Sequence, residues 1–386
     1  MPRIIRVATI PLAFKNLLRG QLNYMSKNGF TITAVSADGK DVQTIKEEEN
    51  CRYVIIPMTR KITPFHDLIS LYKLLNLFIN EKPDIVHTHT PKAGLLGMMA
   101  AKLAGIKVRI HTVAGLPLMV ETGTKKKLLI LIEKITCFCA TNVWPNSNSL
   151  LQYIKKEKLC KESKLHVISK GSSNGVNISK FNNVPLTTEE KINIFKTLNH
   201  RYNEENYYLL FIGRLVKDKG IIELIESFKK ILIHKKDIFL ILVGDFEQDL
   251  DPLPKAVCDE IIYNKNILFF GWKNEVSDFY KLANLFVFPS HREGFPNVLL
   301  QAGACGIPIV CSKIEGNVDV VEDECGLLFE KDNAESLYNA LLFMIDNKEY
   351  CKIVSSNLLI KIHNNYTNEI IWKAMNNNYL KLFKKS

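Results

Sequence analysis

Between Asp237 and Gly244 the chain runs Ile-Phe-Leu-Ile-Leu-Val without a polar residue. A strand with no polar alternation has no face to give to water, so it belongs inside a parallel sheet covered on both sides. Leu209-Leu-Phe-Ile ahead of Gly213 and Leu285 to Pro289 repeat that signature. Near the amino end, Ile4 to Ile10 reads as a strand and Pro11 to Asn16 as a loop. A helix is expected from about Leu17 to Asn28, closed by Gly29, then a strand from Thr31 to Ser36. Strand, loop, helix, strand is how a doubly wound parallel α/β sheet begins.

A chain of 386 residues exceeds what one hydrophobic core usually supports, so two such domains are expected. Gly171-Ser-Ser-Asn-Gly175 has the composition of a hinge. The expected division is residues 1–170, a hinge at 171–178, residues 179–365, and an amphipathic tail helix at 366–386 containing Trp372. With 47% hydrophobic and 24% charged residues the composition argues against long disorder. Nine cysteines without a Cys-x-x-Cys pair read as reduced, mostly buried thiols of a cytosolic protein. The amino terminus is not read as a signal peptide, since Arg6 and Pro11 break its apolar run and no small-residue cleavage site follows. The longest apolar run, Leu128 to Ala140, is interrupted by Glu133 and Lys134 and is too short to span a membrane.

The net charge of +11 asks for a partner class. Its lysines are scattered and no groove-reading or base-stacking motif accompanies them, which argues against nucleic acid. An anionic membrane surface, anionic substrates, or a lysine-rich composition without a function all satisfy the charge. Lys125-Lys-Lys ahead of Leu128-Leu-Ile-Leu-Ile gives a basic amphipathic helix, fit either to lie on lipid headgroups or to pack on a core.

Chemistry concentrates in two stretches. After the strand Leu285 to Pro289, Glu293 and Gly294 occupy a turn, and Pro296 is expected as the first residue of a helix Asn297–Ala304 closed by Gly306 and Pro308. Free amides at such a helix start, together with its dipole, make an anion site, and Glu293 and Gln301 flank it. After Gly213, Arg214 and Lys219 offer two cations ahead of Gly220, suited to charge developing on a diphosphate leaving group. The sheet is completed by strands at Asn266 to Gly271 (followed by Trp272 and Lys273), Ile307 to Cys311 and Gly326 to Phe329. Glu315 to Asp319 is a turn opening a helix.

In the first half, the strand Pro83 to His89 and the strand Lys107 to Val113 carry His87, His89 and His111 at their carboxyl ends, with Thr90 opening a helix. No carboxylate or cysteine accompanies these histidines, so no metal site is expected. Val143 to Ser149 is a strand running into a capped helix, and Leu165 to Ser169 is expected to close the first sheet. Lys15 reads either as a surface lysine or as a contact for an acceptor phosphate.

The Gly213-Arg-Leu…Lys219-Gly loop and the stretch from Glu293 to Gln301 together resemble family 4 glycosyltransferases, with Gln301 where the family has a second Glu. The resemblance is strongest from Leu209 to Pro308 and spans nearly the whole chain. It implies a GT-B fold, two doubly wound Rossmann-like domains facing a central cleft, with the tail helix bracing the first. It also implies a retaining transferase with an acceptor-binding first domain and a nucleotide-sugar-binding second domain, working without a metal or other cofactor. By this resemblance Arg214, Lys219, Glu293 and His111 are the catalytic residues. Gly213, Trp272, Lys273, Gly294, Phe295, Pro296, Asn297 and Gln301 join the first three around the nucleotide sugar. Lys15, His89 and His111 fall on the acceptor side.

The His87-Thr-His-Thr-Pro-Lys-Ala-Gly94 stretch, the 171–175 linker and Arg292-Glu-Gly-Phe-Pro-Asn-Val298 resemble bacterial enzymes of capsule, O-antigen and lipid-linked oligosaccharide synthesis. That likeness implies transfer of a hexose or N-acetylhexosamine from a UDP-sugar to a polyprenyl-diphosphate-linked or polysaccharide acceptor. The place implied is the cytoplasm, peripherally on the inner face of the cell membrane. Two alternatives remain: a hydrolysing nucleotide-sugar 2-epimerase of the same fold, and an inactive, basic surface-binding homologue.

Overall fold

The computed structural model describes residues 1–198, 200–247, 251–322 and 324–385. It resolves into two compact units, Met1–Gly175 with Asn368–Ser386, and Val176–Thr367. The first holds strands β1 (Arg3–Val7), β2 (Thr31–Ser36), β3 (Arg52–Ile55), β4 (Ile85–Thr88), β5 (Val108–Val113) and β6 (Asn142–Pro145). They form one six-stranded sheet in the order β3-β2-β1-β4-β5-β6, every pairing parallel. The second holds β7 (Tyr207–Ile212), β8 (Ile238–Val243), β9 (Ile267–Phe269), β10 (Leu285–Phe288), β11 (Ile309–Ser312) and β12 (Leu327–Phe329). Their order, β12-β11-β10-β7-β8-β9, is again wholly parallel. In both sheets the order reverses beside the first strand, at β1/β4 and at β7/β10. Right-handed crossovers from such an order put helices on both faces and open a crevice at the reversal.

The pleat of the first sheet sorts its side chains into two cores. Ile5, Val7, Val86, Val113 and Val143 face one way; Ile4, Ile85, Ile110 and Trp144, an odd number of residues from them along the same strands, face the other. Successive residues of a strand point to opposite faces, and here both faces are apolar. The second face is closed partly by the tail helix Asn368–Lys384. Its Ile371, Met375 and Tyr379, spaced four apart, are all buried, Tyr379 among the cluster that includes Phe30 and Trp144. Each such side chain contributes on the order of 2 kcal/mol when removed from water. Trp372 Nε1 donates to Asn174 Oδ1 at 2.7 Å, and Trp372 lies so close to Gly20 (φ 80°) that a Cβ there would come within 2.8 Å of its ring.

Three local expectations are corrected. Residues Pro11–Leu17 are helical, not a loop, because Pro11 stands in the first turn, where its missing N–H costs nothing. Leu165 to Ser169 does not extend the sheet: Leu165 makes one isolated bridge to Val143, and Ser169 turns left-handed (φ 54°), ending the extended run. Pro296 caps the helix Asn297–Ala304 instead of forming its first residue, since its ψ of 115° is extended. None of the nine cysteines forms a disulfide. Among the described residues no helix is long and apolar enough to cross a membrane.

Candidate active site

In the second unit the loops leaving β7 and β10 meet at the sheet reversal. The β7 loop makes a short turn at Lys217–Lys219 and passes through Gly220 into the helix Ile221–His234. Gly220 has φ 68°, and a Cβ there would lie 2.0 Å from the Pro289 carbonyl oxygen. Only glycine lets the two loops come this close. Across that contact Lys219 Nζ forms an ion pair with Glu293 Oε1, each side chain 16% exposed. Ser290 Oγ donates to the same carboxylate oxygen at 2.8 Å. The Ser290 carbonyl in turn accepts from Ser312 Oγ, and the fully buried Asn317 donates to the Ser312 carbonyl at 2.9 Å. A hydrogen-bonded chain from β11 and the turn beyond it therefore fixes where Glu293 points.

Gly294, Phe295 and Pro296 are buried behind Glu293, with the Phe295 ring 5.3 Å from that of Tyr366. Beyond Gly294 the helix Asn297–Ala304 starts without a side-chain cap. Leu299 N donates to the Pro296 carbonyl at 3.2 Å, and a helix start with no side-chain cap ahead of that amide is a place suited to an anion. Gly316 packs against the Gly294 carbonyl, where a Cβ would fall 2.6 Å from the oxygen.

The remaining loops at this edge are knitted together by backbone. Leu215 N donates to Asp245 O at 2.9 Å and Gly244 N to Gly271 O at 2.9 Å. Trp272 N donates to Asp245 Oδ1 at 3.0 Å, leaving its ring 52% exposed. Arg214 is exposed at the same edge and pairs with Glu247. Gln301 stands apart from these contacts, its Oε1 accepting from the buried Tyr280 hydroxyl at 3.0 Å.

A second polar cluster lies behind the loop. Arg292 Nη2 donates to Asp218 Oδ2 at 2.6 Å, and His291 Nε2 lies 3.3 Å from Glu223 and 3.0 Å from Asp332. Burial disfavours the His291 cation, but the hydrogen bond and charge of Glu223, with Asp332 and Asp218, outweigh it and raise the ring above its ordinary value. Glu223, His291 and Asp332 bring one ligand atom each within 4.8 Å of one another. The grouping sets one imidazole between two carboxylates.

In the first unit Arg6 and His89 meet at the β1/β4 reversal. Arg6 is fully buried; its Nε donates to His89 Nε2 at 2.7 Å and its Nη2 to Gln21 Oε1 at 2.6 Å. An accepting Nε2 puts the His89 proton on Nδ1 and keeps the ring neutral. Burial, then the Arg6 charge, holds His89 well below the usual range. His87 is bonded to Tyr379 Oη at 2.5 Å and to Thr112 Oγ1 at 2.7 Å. His111 projects from the opposite face of the sheet, 2% exposed, with Nδ1 2.8 Å from Thr88 Oγ1. The helix Pro91–Leu103 covers it so closely that a Cβ on Gly94 would reach within 2.4 Å of the ring. Lys15 pairs with Asp41 at 2.6 Å.

Residues 195–358 match the family model for glycosyl transferases group 1, and residues 7–147 the model for glycosyl transferase 4-like proteins. The chain is 36% identical over 371 residues to the capsular polysaccharide biosynthesis glycosyltransferase CapM of Staphylococcus aureus, covering 96% of this chain and 95% of that one. The chain belongs to the group 1 glycosyltransferases. It is also 32% identical over 327 residues to the UDP-Gal:alpha-D-GlcNAc-diphosphoundecaprenol alpha-1,3-galactosyltransferase of Escherichia coli, covering 83% of this chain and 81% of that one. Among solved structures, sucrose-phosphate synthase of Thermosynechococcus elongatus superposes over all of both chains with a TM-score of 0.82 at 20% identity. HepE of Anabaena, in complex with UDP-glucose, matches with a TM-score of 0.78 at 16% identity over 99% of this chain and all of that one. These likenesses carry the GT-B fold.

In this glycosyltransferase the candidate donor residues fall into three groups. Lys219 and Glu293 touch, with Gly294, Phe295, Pro296 and Asn297 following Glu293 into the helix start; the loops carrying Gly213, Arg214 and Trp272, with Lys273 next in sequence, meet at the same edge around Asp245; Gln301 is held separately by Tyr280. Sequence reasoning passed over Ser290, Ser312, Asn317 and Asp218, which hold the loop. Ser290 had a signal, a hydroxyl three residues before Glu293. Asn317 had none, because its role depends on a contact from another strand.

Proposed function

We propose that this glycosyltransferase moves a hexose or N-acetylhexosamine from a UDP-sugar to a polyprenyl-diphosphate-linked or polysaccharide acceptor, with retention of anomeric configuration, in bacterial surface-glycan synthesis. The observation that carries the reading is the Lys219–Glu293 pair set at the sheet reversal beside an uncapped helix start. The Escherichia coli relative, whose name gives a UDP-sugar donor and a diphosphoundecaprenol acceptor, supports the donor and acceptor classes.

In this account Lys219, Arg214 and the amides of Phe295 and Asn297 receive the diphosphate, and Glu293 then holds hydroxyls of the sugar. Gln301 offers its amide to the ribose, and the Trp272-Lys273 loop lies along the base. The bond between the sugar C1 and the diphosphate oxygen breaks, and the acceptor hydroxyl oxygen bonds to C1 on the same face. The hydroxyl proton passes to the departing phosphate oxygen, and UDP leaves. The fixed cations are worth most as negative charge grows on that oxygen, since they need no reorganisation at that moment. No metal is needed in this scheme, because Lys219 and Arg214 supply the countercharge. On the acceptor side Lys15, His89 and His111 serve as hydrogen-bonding or charge partners, the two histidines as neutral rings. The reaction is placed in the cytoplasm, with the enzyme peripheral on the inner face of the cell membrane.

The test is to incubate the purified protein with a panel of nucleotide sugars, with and without polyprenyl-diphosphate-linked acceptor, following free nucleoside diphosphate and product. Acceptor-dependent UDP release from one donor is expected. Acceptor-independent release with a free epimerised sugar would assign the protein to the epimerases, and binding of donor without turnover to the inactive homologues.

A further inference from the structure

We infer that one face of the first unit, centred on the helix Pro64–Glu81, docks onto an anionic lipid bilayer; this deepens the peripheral placement proposed above and rests on it. The helix has two apolar sides. Its inner side packs through Ser70, Leu74 and Phe78. At about 100° per residue, Phe65, Leu68, Ile69 and Tyr72 form a second stripe on the opposite side. These four are 84%, 63%, 52% and 64% exposed. A crossover helix with a solvated outer side would carry polar residues there, so this stripe is shaped for another apolar phase.

The charge around the stripe selects the phase. The acids of the helix are engaged elsewhere, Asp67 with Lys92 at 2.7 Å and Glu81 with Arg52 at 2.7 Å, while Lys61 and Lys73 are exposed beside the stripe. The helix Pro91–Leu103 packs between this helix and Gly123–Cys139. That third helix carries Lys125, Lys126 and Lys127 near its start, Lys125 paired with Glu121 at 2.5 Å, and exposes Leu128 and Leu131 on the turns that follow. In a parallel sheet the crossover helices run opposite to the strands, so both helix starts lie at the edge where β4 and β5 end. Apolar side chains and lysines thus share one edge, the arrangement that inserts into headgroups and meets anionic lipid. It is also the edge nearest His89, so docking there brings a lipid-linked acceptor to the first unit's reversal point.

The test needs neither donor nor acceptor, so its failure is separable from failure of the transferase reading. The intact protein is sedimented with phosphatidylglycerol-containing vesicles and with phosphatidylcholine vesicles at low and high salt. Preferential, salt-sensitive binding to the anionic vesicles is expected. The combined variant Phe65→Ser, Ile69→Ser, Tyr72→Ser should bind on the order of a hundredfold more weakly, since three apolar side chains no longer enter the bilayer. Lys126→Gln with Lys127→Gln, which leaves the stripe intact, should weaken binding by about tenfold. Absence of binding to anionic vesicles, or equal binding by the triple variant, overturns the inference. So does a wild-type dimer in sedimentation that the triple variant converts to monomer without any vesicle binding, which would assign the stripe to a second copy.

Discussion

Replacing Lys219 with alanine removes the cation that sits on Glu293. Without donor the cost in stability is roughly 3 kcal/mol, because both side chains are largely buried and the Glu293 carboxylate is left without its cation. With donor the cost is larger and has two parts. A charge-assisted contact to the bound diphosphate is worth roughly 1.5–3 kcal/mol, so donor affinity should fall by about one to two orders of magnitude. A positioned donor facing charge that develops in the transition state is worth about 10²–10³ in kcat. The unpaired Glu293 carboxylate is then left beside the phosphates and adds repulsion. Glu293→Gln differs in sign for the ground state: it frees Lys219 for the phosphates while losing a charged contact to the sugar, so it should lower kcat with little loss of UDP affinity. Steady-state kinetics by UDP release, UDP titration calorimetry and thermal unfolding separate these effects. A Lys219→Ala enzyme with kcat/KM within about threefold of wild type would refute the reasoning, because no group making this contact could be lost so cheaply.

Gly220→Ala forces φ 68° on a residue with a Cβ and sets that atom 2.0 Å from the Pro289 oxygen; urea unfolding should show a loss of roughly 2–5 kcal/mol, and a loss below about 1 kcal/mol would mean the two loops are not locked together. Burial pushes His111 down from 6.5 to about 4. The folded protein therefore stays neutral there while the unfolded chain takes a proton, so this contribution is complete above pH 6.5 and is lost as pH falls toward 4. It amounts to roughly 3 kcal/mol, and His111→Asn should flatten that part of the stability profile; an unchanged profile would contradict the burial assigned to the ring. Gln301→Glu keeps the bond from Tyr280 and adds charge assistance toward a ribose diol, so UDP should bind about fivefold more tightly; weaker or unchanged binding would remove Gln301 from the ribose.

What could be read from residues alone were features written in consecutive positions. The unbroken run Ile238–Val243 and the Leu285–Phe288 strand carried their own burial, and Gly306 and Pro308 marked where the Asn297–Ala304 helix stops. β3 (Arg52–Ile55) left no such mark: at the sheet edge Arg52 and Ile55 are exposed and only Tyr53 is buried. The helix at Pro11–Leu17 was hidden because its proline resembles a turn signal as much as a helix start. At the site, Lys219 and Glu293 stood out by spacing within their own loops, but their contact depends on β7 and β10 being neighbours, which no local pattern encodes. The same holds for Asn317 and Ser312, which support Glu293 from two other segments, and for Tyr280 on Gln301. His111 and His89 look equivalent as strand-end histidines; the pleat sends them to opposite faces, one under Gly94 and one onto Arg6.

The claim that the loops after β7 and β10 hold the nucleotide diphosphate is tested most directly by amide hydrogen exchange of the whole protein with and without UDP. The account predicts slowed exchange at the amides of residues 294, 295, 297–299 and 214–220, with the Trp272-Lys273 loop following. Protection confined to other segments, or absent at saturating UDP, would contradict it.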